Sequence, residues 1–126
     1  MTQLKNGTLG KNKDSNAEKN YYEYLLTIYD ESDIIKQYYD KERYPFKCDF
    51  YIKSEDLFIE VHGNWTHGKM PYIKDNPLCI EQLNDWQEKA KKSNYYKNAI
   101  YTWTDLDVRK LETMKKNNLN YQIIYL

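Results

Sequence analysis

The stretch Asp49-Phe50-Tyr51-Ile52, Lys53-Ser54-Glu55-Asp56, Leu57-Phe58-Ile59-Glu60-Val61-His62-Gly63-Asn64-Trp65-Thr66-His67-Gly68 decides the reading of this chain. Two short runs rich in aromatic and β-branched residues flank a polar link, and that pattern predicts an antiparallel hairpin. Over Phe46–Lys53, the apolar Phe46, Cys48, Phe50 and Ile52 alternate with Lys47, Asp49, Tyr51 and Lys53, which predicts one apolar and one polar face. Over Leu57–His62, Leu57, Ile59 and Val61 share one face, and Phe58, Glu60 and His62 share the other. If the polar faces coincide, Asp49, Glu60 and His62 come together. His67 then follows in a loop between Gly63 and Gly68, where the backbone can turn sharply.

Outward from this hairpin the chain reads as α/β. Residues 1–13 are polar and expected to form a flexible arm, leaving one domain over 14–126. Asp14 or Ser15 caps a helix to about Tyr29, with Ala17, Tyr21, Leu25 and Ile28 as its apolar stripe. Glu18 lies in its first turn, where the helix dipole alone would favour it. A strand is expected over Ile34–Tyr39, with a turn at Pro45. Beyond a loop over 63–77, the pattern predicts a helix from Leu78 to Lys92 with Leu78, Leu83, Trp86 and Ala90 inward. A short strand over Ala99–Trp103 is expected next. A helix capped by Thr104 or Asp105 then runs to Lys116, before a closing strand over Tyr121–Leu126. Together these predict a small mixed sheet of four or five strands flanked by helices.

Composition narrows the class further. A chain of 126 residues supports one modest core, and its 14 tyrosines bury large rings while keeping polar tips wet. No stretch approaches the roughly 20 apolar residues of a membrane span. Met1–Lys5 carries no apolar signal region, so a cytoplasmic location is expected. Cys48 and Cys79 read as two reduced thiols. Net charge is zero, but residues 21–60 hold ten acidic and five basic side chains, whereas 86–126 hold eight basic and four acidic. An acidic centre beside a basic flank suits a site that holds cations and touches phosphates. Lys89, Lys92, Arg109 and Lys110 are the candidate phosphate contacts, although an ordinary solvated surface accounts for any one lysine equally well.

The chemistry follows from the residue types. Strands disfavour aspartate, so Asp49 in mid-strand is unusual. Glu60 and His62 project the same way and offer an oxygen and a nitrogen, although Glu60 could instead pair across strands with Lys47 or Lys53. Magnesium keeps several waters and needs only one or two carboxylates, and manganese would substitute for it. A histidine nearby can carry a proton to or from the reacting oxygen.

At these residues, Phe58-Ile59-Glu60-Val61-His62-Gly63-Asn64-Trp65-Thr66-His67 resembles the strand-and-loop motif of the very-short-patch mismatch repair endonucleases. It is still more similar to the phage-type homing endonucleases of the EDxHD group. Both belong to the PD-(D/E)XK nuclease superfamily. The resemblance covers about residues 14–126 and implies a restriction-endonuclease-like core. Its implied catalytic set is an early-helix Glu18, strand Asp49, His62, His67 and a late Asp107. Metal would be held by Asp49 and the backbone carbonyl of Val61. Glu60 is a second-rank ligand, apolar in the repair-type site and a ligand in the broader superfamily. The chain departs from the repair enzymes in lacking their structural zinc ligands and in a longer segment between His67 and Asp107.

The implied function is a magnesium-dependent endonuclease acting on double-stranded DNA, of phage or mobile-element origin, in a bacterial host cytoplasm. A homodimer or partner domain would supply specificity, since no zinc finger, helix-turn-helix or basic-region motif is present. The alternative is a catalytically inactive nucleic-acid-binding module with a nuclease fold. A third is a small metal-binding interaction protein, which the basic segment 86–116 disfavours.

Overall fold

The structure, a computed structural model, describes residues 13–62 and 70–125. In chain order these form α1 (Lys13–Leu25), a 3₁₀ turn, β1 (Ile34–Asp40), β2 (Tyr44–Ile52), β3 (Leu57–His62), α2 (Pro77–Ala90), α3 (Asn94–Tyr101), a π-helical turn (Thr102–Leu106), α4 (Asp107–Lys116) and β4 (Asn120–Tyr125). The four strands make one mixed sheet in the order β1-β2-β3-β4. β2 pairs antiparallel with β1 and β3, while β4 lies parallel to β3. The chain is therefore α/β, and none of its described helices is long and apolar enough to cross a membrane.

β3 sits between β2 and β4 and is buried along its whole length. Its alternation holds. Leu57, Ile59 and Val61 pack with Leu25 of α1, Ile34, Phe50 and Ile52 on one face. Phe58 packs on the other face with Tyr44, Cys48 and Met114 of α4. α1 meets the sheet through Ala17, Tyr21 and Leu25, but Ile28 is exposed because the helix ends at Leu25. There the Thr27 hydroxyl donates to the Tyr24 carbonyl at 2.6 Å, offering the chain an alternative to another helical turn. Tyr29 fills the place expected of Ile28.

The alternation expected in β2 does not hold. Phe46 and Cys48 pack towards α4, whereas Phe50 and Ile52 pack towards α1. β1 changes phase at the same level. Lys36 lies 3.9 Å over the Tyr22 ring of α1, yet Tyr38 stacks on Tyr51 in the opposite cluster. Between them Gln37 takes φ 51°, left-handed and uncommon for glutamine. Gln37 and Asp49 are the two residues at which the strands turn over.

A separate cluster of Cys79, Trp86, Ala99 and Trp103 joins α2 to α3. Asn76 caps α2, its Oδ1 accepting from the Leu78 and Cys79 amides, with Pro77 in the first turn. Cys79, not the expected Leu78, faces inward, at helical spacing from Leu83, Trp86 and Ala90. The strand expected over Ala99–Trp103 is instead helix running into the π turn. Its β-branched and aromatic residues suggested a strand, but Tyr96, Ala99, Ile100 and Trp103 lie at helical spacing and pack against α2. Both cysteines are buried free thiols.

Candidate functional site

The site forms where β2 and β3 part. Their paired residues run from Ile52↔Leu57 to Phe50↔Ile59. Next along, the Val61 amide donates to Oδ2 of Asp49 at 2.7 Å, so a side chain takes a place that a backbone carbonyl would hold. Asp49 is available for this because its strand changes phase there. In a strand, N–H and C=O of one residue leave on the same side, so the Val61 carbonyl also faces this fork.

Glu60 projects into the same space. It is 2 % exposed, and its Oε2 accepts from the Tyr44 hydroxyl and lies 3.6 Å from Nζ of Lys110. Its carboxyl also hydrogen-bonds that of Asp49. Burial pushes Glu60 up to about 8; the charge of Lys110 opposes this and that of Asp49 adds to it. Burial, then the charge of Glu60, drives the Tyr44 hydroxyl far above its usual range. The cross-strand pairing of Glu60 with Lys47 or Lys53 does not occur. Its cation comes from α4.

α4 completes the arrangement. The π turn precedes Asp107 directly, and the helix then presents Asp107, Lys110 and Met114 to the sheet at helical spacing. Asp107 Oδ1 lies 3.9 Å from Nε2 of His62, both side chains nearly buried at 10 % and 5 % exposure. The His62 ring meets Tyr125 of β4 edge-on at 5.3 Å. Burial, then the charge of Asp107, pushes Tyr125 up to about 12.

Of the sequence candidates, Asp49 and Glu60 therefore meet, His62 and Asp107 meet, and Lys110 joins the first pair. Lys110 is 17 % exposed and turned towards Glu60. Glu18 accepts from Gln37 at 3.2 Å and lines a groove with Lys19, Tyr22 and Lys36, none of which belongs to the carboxylate group. His67 lies outside the described residues, as do residues 1–12 of the arm expected over 1–13; Lys13 opens α1. Lys89 pairs with Asp85 at 3.0 Å, and Arg109 with Asp105 at 3.2 Å and with the Tyr101 hydroxyl. Lys92 is exposed. Tyr44, Tyr125 and the inward role of Lys110 were not read from the sequence. Only Lys110 carried a signal, lying three residues after Asp107 on one helix face.

Burial, and to a lesser degree the neighbouring Asp49, pushes the Glu60 carboxyl up to about 8 even with the Lys110 ammonium 3.6 Å away. An all-oxygen pair at a strand fork fits a hard cation that keeps most of its waters. Among the described residues, no group of three His, Cys, Asp or Glu could hold a metal ion. Comparison of the chain with protein-family models, with characterised proteins and with solved structures gave no match.

Proposed function

We propose that this chain is a metal-dependent nuclease that hydrolyses phosphodiester bonds in DNA. The observation that carries the reading is the meeting of half-buried Asp49 with buried Glu60 at the fork of β2 and β3, with Lys110 beside them. A mixed sheet with α1 on one face and α4 on the other supports a PD-(D/E)XK-type core. Asp49 and Glu60 would hold magnesium, with the Val61 carbonyl as a third oxygen donor. When bound, the ion offsets charge on the scissile phosphate and acidifies a water. The chain's own groups do the rest. Lys110 balances the carboxylates, and His62, oriented by Asp107, moves a proton at the reacting oxygen. His67 is proposed as a second proton-transfer group.

The test is nicking of supercoiled plasmid in magnesium or manganese, with an EDTA control and Asp49→Asn beside the wild type. Nicking that disappears both in EDTA and in the variant is the expected result. A second reading is a nucleic-acid-binding module that keeps the fold without the chemistry. The Lys110 ammonium, 3.6 Å from Oε2 of Glu60, favours it, since a lysine can offset that carboxylate without a metal. DNA binding without metal-dependent nicking would establish that second reading.

A further inference from the structure

A cleft of about 370 Å³ opens beside His62, between the β4 side of the sheet and α4. Its floor is the nearly buried His62–Asp107 pair. Its walls are the rings of Tyr72 and Tyr125 with the aliphatic Leu111 and Ile123, and the exposed Glu112 and Lys115 stand at its rim. We propose that this cleft receives a single unstacked nucleobase of the nucleic-acid substrate, with that nucleotide's phosphate against Lys115. The proposal rests on the nuclease reading, whose substrate it specifies.

Four features select this occupant. Aromatic and aliphatic walls remove a flat ring from water, and stacking on tyrosine tolerates any base. The polar floor, His62 with Asp107 3.9 Å away, puts the proton-transfer group at the inner end of the cleft, next to the phosphate that adjoins a seated base. The rim carries one lysine, Lys115, together with the acidic Glu112, so it offers a partner to one phosphate at most. Finally, His62 belongs both to this floor and to the strand that carries Glu60. Two strand residues span roughly 6–7 Å, a reach that lets one nucleotide seat its base in the cleft and present the adjoining phosphate to the carboxylates.

Stacked bases in a duplex cannot enter a recess of this kind. The base must leave the stack, at a cost of a few kcal/mol that is least where it is already unpaired. The chain should therefore engage single-stranded or frayed positions in preference to intact duplex.

The experiment uses the full chain in EDTA, followed by NMR of the histidine and tyrosine rings. With only two histidines in the sequence, comparison with His67→Gln assigns the His62 signals. Deoxyadenosine and thymidine monophosphates are titrated against deoxyribose 5-phosphate, which lacks the base. The expected result is saturable movement of the His62 and Tyr125 signals with the nucleotides and at least tenfold weaker binding of the sugar phosphate. Leu111→Trp, which places an indole in the cleft, should weaken nucleotide binding about tenfold; Ile123→Phe replaces it if the tryptophan variant fails to fold. Equal affinity for nucleotide and sugar phosphate would mean a phosphate contact only and overturn the proposal, as would no movement at millimolar nucleotide. Nucleotide binding in a protein that never nicks plasmid would sink the hydrolytic reading and keep the base site. Nicking without nucleotide binding would do the reverse.

Discussion

Replacing Glu60 by glutamine should stabilise the metal-free protein at pH 8 and leave it unchanged at pH 5. Burial raises the Glu60 carboxyl from 4.5 to about 8, so between those values the folded state keeps a proton that the unfolded state releases. Stability must then fall as pH rises through that window. The full interval at 1.36 kcal/mol per pH unit gives at most ~5 kcal/mol. Because Lys110 compensates part of the charge, a loss on the order of 2–4 kcal/mol is expected. Glutamine keeps the shape, can accept from Tyr44 and donate to Asp49, and carries no charge to bury. Lys110 does not disturb the comparison at pH 5, since its partner there is protonated in the wild type as well. Urea denaturation in EDTA at pH 5, 6.5 and 8 reads the effect as a rise in midpoint of about 1–2 M for the variant at pH 8 only. A wild type equally stable at pH 5 and 8, or a variant weaker than wild type at pH 8, would refute the account of Glu60 as a buried carboxyl that holds its proton.

Asp49→Asn should weaken magnesium binding and abolish nicking together, whereas His67→Ala should leave calorimetric metal binding nearly intact and slow nicking by roughly 10²–10⁴-fold. Arg43 forms a fork with Asp56 at 2.8 and 2.9 Å and also meets Asp40 at 2.7 Å, holding both carboxyls below their usual range. Their contribution is present above pH 3.8 and is lost as pH falls through the lowered values, so Arg43→Ala should be less stable than wild type at pH 6 but equal to it near pH 2, as thermal melts would reveal. Gln37→Gly should gain up to ~1 kcal/mol by relieving a left-handed backbone, and Gln37→Val should lose about 1–2 kcal/mol; identical denaturation midpoints for all three proteins would remove strain from the description of β1.

How much of this was legible in the sequence depends on the range of the interaction involved. β3 was readable to the residue, because a strand buried on both faces selects every side chain along it. The pairing of Asp49 with Glu60 was readable only as a conditional, and it was reached by a route the alternation did not foresee. Strict period two puts Phe46, Cys48, Phe50 and Ile52 on one face, whereas Gln37 and Asp49 turn both strands over. Nothing local in the sequence marks that event, since glutamine has no preference for positive φ. Ala99–Trp103 failed for a different reason. Isoleucine, threonine and tryptophan favour strands on average, but here the Trp86–Trp103 contact, at 5.4 Å between rings, rewards helical spacing. Tertiary packing overrides propensity in such cases. The contact of Lys110 with Glu60 was not legible, because that partner lies 50 residues earlier in the chain.

The phase change also explains why the carboxylates sit where they do. A regular β2–β3 ladder would continue past Phe50↔Ile59 and satisfy the Val61 amide with a carbonyl. Asp49 would then have no backbone donor to anchor it, and a mid-strand aspartate would stay at the surface. With the ladder broken, the Val61 amide needs an acceptor, and an unpaired buried N–H costs about 1–3 kcal/mol. Asp49 supplies that acceptor, which fixes its rotamer and brings its carboxyl against Glu60. On the α4 side, the π turn over Thr102–Leu106 places Asp107 and Lys110 on the sheet-facing side of the helix that follows it. Turns of this kind recur at functional sites. Two backbone irregularities, one in the sheet and one in the helix facing it, thus converge on the same few side chains. Each disrupts a regular ladder.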